Sequence, residues 1–179
     1  MAQRPNILLI TTDQHRADCV GCYGNPVIRT PHLDSLAADG VRCDRVYVQN
    51  PLCMPQRASL LTGQYPSQHG VWCNGVPLSR EVPTLSGYLA GMGYETALLG
   101  KAHFTPMGGE PTPGYYDNVS LWRETDCTGW SGPFYGFEWV QLCLSHIAPD
   151  VGHYGMWLKE NYPDTVELFR TANMEPSPT

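Results

Sequence analysis

The run Asn6-Ile-Leu-Leu-Ile-Thr-Thr12 is continuously apolar rather than alternating, and it stops abruptly at Asp13-Gln14-His15-Arg16. That is the pattern of a parallel strand buried on both faces, with polar groups at its carboxyl end. Thr30-Pro31 then supplies an N-cap and a first-turn proline for a helix through Leu33, Leu36 and Ala37, which Gly40 ends. A second strand is expected over 41–48. Pro55 and Gly63 bracket a short helix over 54–62, so Cys53 falls at a helix N-terminus, where backbone N–H groups favour an anion. Pro83 and Gly93 bracket a further helix over 84–92, and a strand over 94–99 delivers Gly100-Lys101-Ala102-His103 at its end. From about 104 to 135 the chain is rich in Gly, Pro, Thr and aromatics without a sustained period, which reads as a long surface excursion. A strand over 137–144 and a short amphipathic helix over 152–161 follow. The residues from 172 onward carry no packing pattern, and no internal repeat is found.

The order β-α-β-α-β predicts an α/β fold, a mostly parallel sheet between helices. With 179 residues, 42% apolar and 16% charged, the chain is long enough to bury one core. A net charge of −6 argues against nonspecific binding to nucleic acid or to an acidic membrane surface, so an anionic ligand must be met by a local cluster of cations. The apolar stretch Ile7 to Ile10 is too short for a signal segment or a membrane span, and a cytoplasmic location is expected. Seven cysteines, an odd number without the spacing of a small secreted domain, point to reduced thiols.

Four polar groups fall at or just beyond strand or helix ends: Asp13-Gln14, Cys53 with Arg57, Asn74, and Lys101 with His103. They supply a pair of hard oxygen donors, a nucleophile and three possible cations, a set suited to metal-assisted chemistry on an anion.

The segment Pro51-Leu-Cys-Met-Pro-Gln-Arg-Ala-Ser-Leu-Leu-Thr-Gly63 resembles the sulfatase signature, Cys-x-Pro-x-Arg followed by a hydrophobic pair, Thr and Gly. Three more segments look like the same family in the same order: Pro5-Asn-Ile-Leu-Leu-Ile-Thr-Thr-Asp-Gln14, Thr30-Pro-His-Leu-Asp-Ser-Leu-Ala37 and Gly93-Tyr-Glu-Thr-Ala-Leu-Leu-Gly-Lys-Ala-His103. The resemblance is strong over about 5–104 and weaker after 135, through Gly132-Pro-Phe-Tyr-Gly-Phe137. It identifies the chain as the N-terminal part of a type I sulfatase of the alkaline phosphatase superfamily, with 1–179 as part of one catalytic domain.

That resemblance implies that a formylglycine-generating maturase oxidises Cys53 to formylglycine, reading Pro55 and Arg57 as part of its recognition sequence. The hydrated aldehyde would attack the sulfur of a small anionic sulfate ester, and its second hydroxyl would later eliminate sulfate. Asp13, Gln14 and residue 53 would ligate a divalent cation, Ca²⁺ first, with Mg²⁺ or Mn²⁺ as alternatives. Arg57 would steady the aldehyde hydrate, Lys101 and His103 would hold the sulfate and leaving-group oxygens, and Asn74 would donate a hydrogen bond to the same anion.

The chain also departs from the pattern. Met54 and Gln56 stand where small residues are usual, and Gln14 stands where many members carry a second Asp. Related phosphonate monoester and phosphodiester hydrolases share the Cys-x-Pro-x-Arg core and an Asp-Gln pair, so a phosphoryl substrate is the alternative reading. The family usually runs to several hundred residues, with a second pair of metal ligands on a later strand. Asp117-Asn118 is the only Asp-Asn pair, and it comes too early for that role. The chain is therefore expected to be a truncated sulfatase, catalytic or a noncatalytic fragment, and prone to self-association through an uncovered sheet edge. Cys19-Val-Gly-Cys22 lacks a second pair and is read as structural. Trp130, Phe134, Tyr135, Phe137 and Trp139 are read as packing residues rather than a sugar platform. His69 carries no assigned role.

Overall fold

The structure, a computed structural model, describes residues 4–144 and 150–172. The chain divides into two compact units, Met1–Tyr47 and Val48–Thr179.

The first unit is built around helix α1 (Pro31–Asp39) and two 3₁₀ turns, Ala17–Cys19 and Gly21–Tyr23. Pro31 occupies the first turn as expected, but Thr30 does not cap the helix through its side chain. Its hydroxyl instead accepts from the Gly21 N–H at 2.8 Å and donates to Asp34 Oδ1 at 3.0 Å. Asp34 Oδ1 also accepts from the Cys22 N–H at 2.6 Å, which ties the start of α1 to the Cys19–Cys22 turn.

The two strands expected in this part of the chain are not formed. Residues 6–12 and 41–48 are irregular, with Ile7, Leu8, Leu9 and Ile10 exposed by 60–85% and Val41, Val46, Tyr47 and Val48 by 57–90%. A strand satisfies its N–H and C=O groups on a neighbouring strand, and this unit holds no such neighbour among its described residues.

The second unit contains α2 (Cys53–Thr62), α3 (Pro66–His69), α4 (Leu85–Gly91), β1 (Ala97–Gly100), α5 (Val119–Glu124), β2 (Trp139–Leu142), α6 (Gly152–Asn161) and α7 (Pro163–Ala172). The two strands run parallel, with Ala97 opposite Trp139 and Gly100 opposite Leu142. This is the parallel α/β arrangement that the pattern predicts, here as a two-stranded sheet among the described residues. No helix among them is long and apolar enough to cross a membrane.

Met54, Ala58 and Leu61 repeat at helical spacing along α2 and are buried with Val71, Leu78, Phe134, Val140 and Leu142 in one core. Burying each large apolar side chain there contributes about 1.5–3 kcal/mol. The helix ends at Gly63, whose φ of 68° is the left-handed conformation of a C-terminal glycine.

Helix α4 starts at Thr84, whose side chain accepts from the Gly87 N–H at 3.1 Å. Gly87 lies against Gly136 so closely that a Cβ at Gly136 would come within 2.2 Å of the Gly87 nitrogen.

The segment over 104–135 is not the surface excursion expected from its composition. Phe104, Thr105, Asp117, Asn118, Leu121, Cys127 and Tyr135 are buried, and α5 forms inside the segment. Asn118 opens α5 by accepting from the Leu121 N–H at 2.9 Å, while its Nδ2 donates to the carbonyls of Gly108 and Glu110. The aromatics fill this region: Trp130 stacks on Tyr116 with ring centroids 3.5 Å apart, and the Arg80 guanidinium lies 4.2 Å from the Tyr135 ring centroid. Gly, Pro and Thr break periodicity without keeping a chain at the surface, because side chains can pay the entropy of order in their stead.

Candidate active site

Helix α2 begins where the irregular segment before it turns inward. Asn50 Oδ1 accepts from the Leu52 N–H at 2.8 Å, and Cys53 then takes the first helical position, half-buried. Arg57 is four residues on, so it shares a face with Cys53. From the loop after β1, Lys101 places Nζ 3.8 Å from Cys53 Sγ. Arg57 Nη1 donates to the Lys101 carbonyl at 2.5 Å. Cys53, Arg57 and Lys101, dispersed over 49 positions of the sequence, thus form one cluster with a thiol between a helix N-terminus and an ammonium.

Asn74 joins this cluster in a way the sequence did not foretell. Its Oδ1 accepts from the Met54 N–H at 3.0 Å, satisfying one of the free donors in the first turn of α2. The carboxamide oxygen therefore serves the helix, and a donor role toward an anion falls to the NH₂ arm. Met54 itself is fully buried, and its thioether accepts from the Gly75 N–H at 3.1 Å. The Met54 side chain thus packs under the loop that carries Asn74.

His103 is buried and has φ of 55°, a left-handed conformation uncommon outside glycine. The residue that holds it is Asp117. Asp117 is fully buried: Oδ1 accepts from the His103 N–H at 2.8 Å, and Oδ2 accepts from the N–H groups of Phe104 and Thr105 and from the Thr105 hydroxyl at 2.9–3.1 Å. Burial pushes its carboxyl above the ordinary value, and these four hydrogen bonds oppose that shift. No sequence signal marks Asp117 for this task, since it lies 14 residues from His103 in a segment without periodicity.

His69 packs on the other side of α2. Its Nδ1 accepts from the Val71 N–H at 3.1 Å, so Nε2 carries the proton and donates to Ser59 Oγ at 2.9 Å. Burial holds its pKa below the usual histidine value. This is a neutral histidine that joins α2 to the turn after α3.

Asp13 and Gln14 belong to the first unit, on an exposed bend, with φ of 51° at Gln14. A carboxylate and a carboxamide oxygen are the donors hard cations take, but Ca²⁺ and Mg²⁺ require six or more. Among the described residues no three of His, Cys, Asp and Glu gather into a metal-binding group. The donors are of the right kind and too few to complete a cation's coordination by themselves. All seven cysteines are free, Cys19 and Cys22 included.

The model of the Sulfatase family matches residues 5–139. The chain is 41% identical over 101 residues to the sulfatase YidJ of Escherichia coli K12, a match covering 56% of this chain and 20% of that protein. Among solved structures, the phosphonate monoester hydrolase of Agrobacterium radiobacter superposes with a TM-score of 0.64 at 29% identity, covering 95% of this chain and 29% of that one. A protein solved with its substrate D-glucosamine-2-N,6-O-disulfate superposes with a TM-score of 0.56 at 36% identity, covering 62% of this chain and 22% of that one. The chain thus spans between a fifth and a third of the length of these relatives.

Proposed function

Because the chain belongs to the sulfatase family, we propose that it carries the nucleophile end of a sulfuric ester hydrolase, with Cys53 as the precursor of formylglycine. The observation that supports this reading best is the cluster at the start of α2, where Cys53 Sγ lies 3.8 Å from Lys101 Nζ on the helix face that also bears Arg57. A helix N-terminus and an ammonium together favour the negative charge of a sulfate group beside residue 53. When matured, residue 53 supplies a hydrated aldehyde as the nucleophile toward sulfur.

The other side chains position and neutralise. Lys101 holds a sulfate oxygen, and His103, two residues on, gives its proton to the departing alkoxide. Arg57 fixes the Lys101 backbone through its carbonyl and so keeps the ammonium over residue 53. Asn74 keeps the first turn of α2 in place through Met54. Asp13 and Gln14 would offer a carboxylate and a carboxamide oxygen to a divalent cation, and these two alone do not complete its coordination.

A phosphoryl substrate is the second reading, supported by the superposition on a phosphonate monoester hydrolase along 95% of this chain. Both readings need the same maturation. After co-expression with a formylglycine-generating enzyme, mass spectrometry of the tryptic peptide 46–57 is expected to show residue 53 as the aldehyde. The matured chain, assayed on an aryl sulfate and an aryl phosphonate, is expected to turn over the sulfate faster. An unmodified Cys53, under conditions that convert a control peptide, overturns both readings; a preference for the phosphonate overturns the first.

A further inference from the structure

We propose that Asp117 is a positioning residue of this site, holding the Lys101–Thr105 turn in the conformation that presents Lys101 and His103 to an anion. This rests on the reading of Lys101 and His103 as the sulfate cradle.

The turn is fastened at both ends. At its start, the Lys101 carbonyl accepts from Arg57, which is rooted on α2. At its other end, three successive N–H groups, those of His103, Phe104 and Thr105, converge on one buried carboxyl together with the Thr105 hydroxyl. Successive N–H groups with a left-handed residue among them form a concave anion site. Here a side chain of the same chain fills it. The Phe104 carbonyl is also taken, by the Leu78 N–H at 2.8 Å, so the backbone beyond Lys101 has little freedom to relax. The φ of 55° at His103 is a conformation that a non-glycine residue keeps only when its surroundings enforce it, and the bond from the His103 N–H to Asp117 is the enforcing contact.

The two carboxyl oxygens divide the work unequally, which makes the assignment testable with a substitution of the same shape. In Asp117→Asn the amide oxygen takes the place of Oδ2, which has three donors, and the NH₂ group then faces the His103 N–H. The substitution releases His103 selectively and leaves Phe104 and Thr105 held.

The test is NMR on the full chain, titrated with inorganic sulfate, for wild type, Asp117→Asn and Leu158→Ala. Leu158 is buried in α6, and its truncation serves as a destabilised control away from the turn. In the wild type, sulfate is expected to shift the Lys101 and His103 signals. In Asp117→Asn the His103 amide is expected to move while those of Phe104 and Thr105 stay, and sulfate is expected to bind at least fivefold more weakly; Leu158→Ala retains wild-type affinity. Unchanged affinity and an unchanged His103 amide in Asp117→Asn overturn the assignment, as does an equal loss in Leu158→Ala. Lys101 and His103 signals that ignore sulfate already in the wild type overturn instead the reading on which it rests. Should Asp117→Asn fail to fold, hydrogen exchange on the wild type decides: protection of the His103 amide equal to that of the core supports the clamp, and rapid exchange there refutes it.

Discussion

Two stretches of similar apolar sequence meet opposite fates in this protein. Ile7 to Ile10 in the first unit are exposed by 60–85% and form no strand, whereas Val140 and Leu142 of β2 in the second are almost completely buried against the core. Hydrophobicity is no lower in the first stretch. What differs is that β2 has β1 in register beside it and α6 packed upon it, while the first unit offers no paired strand among its described residues. An apolar run states a willingness to be buried, and a neighbour decides whether it is.

The largest expected effect sharpens this contrast directly. Phe134→Ala removes a side chain that is 1% exposed and should cost about 3–5 kcal/mol, while Leu8→Ala, at 85% exposure, should change stability by no more than about 0.5 kcal/mol. Urea melts followed by tryptophan fluorescence check both. Equal losses would mean that Leu8 is buried in solution and that the contrast between the units is false.

Next comes a polar counterpart. Asp117→Ala leaves three buried N–H groups without their acceptor, and the expected loss is on the order of 3 kcal/mol. Asp13→Ala, on an exposed bend of the first unit, should fall within about 0.5 kcal/mol in the same melts. An Asp117→Ala chain as stable as the wild type would remove the carboxyl from the architecture of the turn.

The smallest effect is a pH dependence confined to the second unit. Burial lowers the pKa of both His69 and His153, each of which accepts a backbone N–H on Nδ1 and is held neutral. With the folded pKa below the unfolded value of 6.5, the unfolded chain binds more protons, so stability is full above that value and is lost as pH falls below it. The melting temperature should therefore fall between pH 7 and pH 5, and His69→Gln should flatten part of that slope. A flat profile in the wild type would show that these imidazoles protonate without cost.

The helix at Cys53 was legible because its signals are local. Pro55 and Gly63 act within a few turns of backbone, and the helix begins within one residue of where they put it. The strand before Lys101 was legible in the same way, to within a few residues at its start. Asn74 was picked out as a candidate donor to an anion, yet its oxygen accepts from Met54, a partner 20 residues away in sequence. Asp117 was passed over, because a metal ligand and a buried acceptor of backbone N–H groups look alike in one dimension. The burial of the segment over 104–135 is illegible for a related reason: loss of periodicity does not imply exposure, since stacking of Tyr116 on Trp130 and the burial of Phe134 need no period at all.

Sequence alone determined the chemistry available to this protein: the Cys-x-Pro-x-Arg motif at a helix start, the lysine and histidine after a strand, and the α/β class. These are consequences of short-range geometry, in which a residue's neighbours along the chain are also its neighbours in space. Tertiary structure alone decided that Lys101 stands over Cys53, that Asn74 caps α2, that Asp117 accepts from the His103 turn, and which apolar runs become strands. Each of those is a contact between distant residues, and such contacts are won by packing and by the need of every buried polar group for a partner, neither of which is written in any single stretch of sequence.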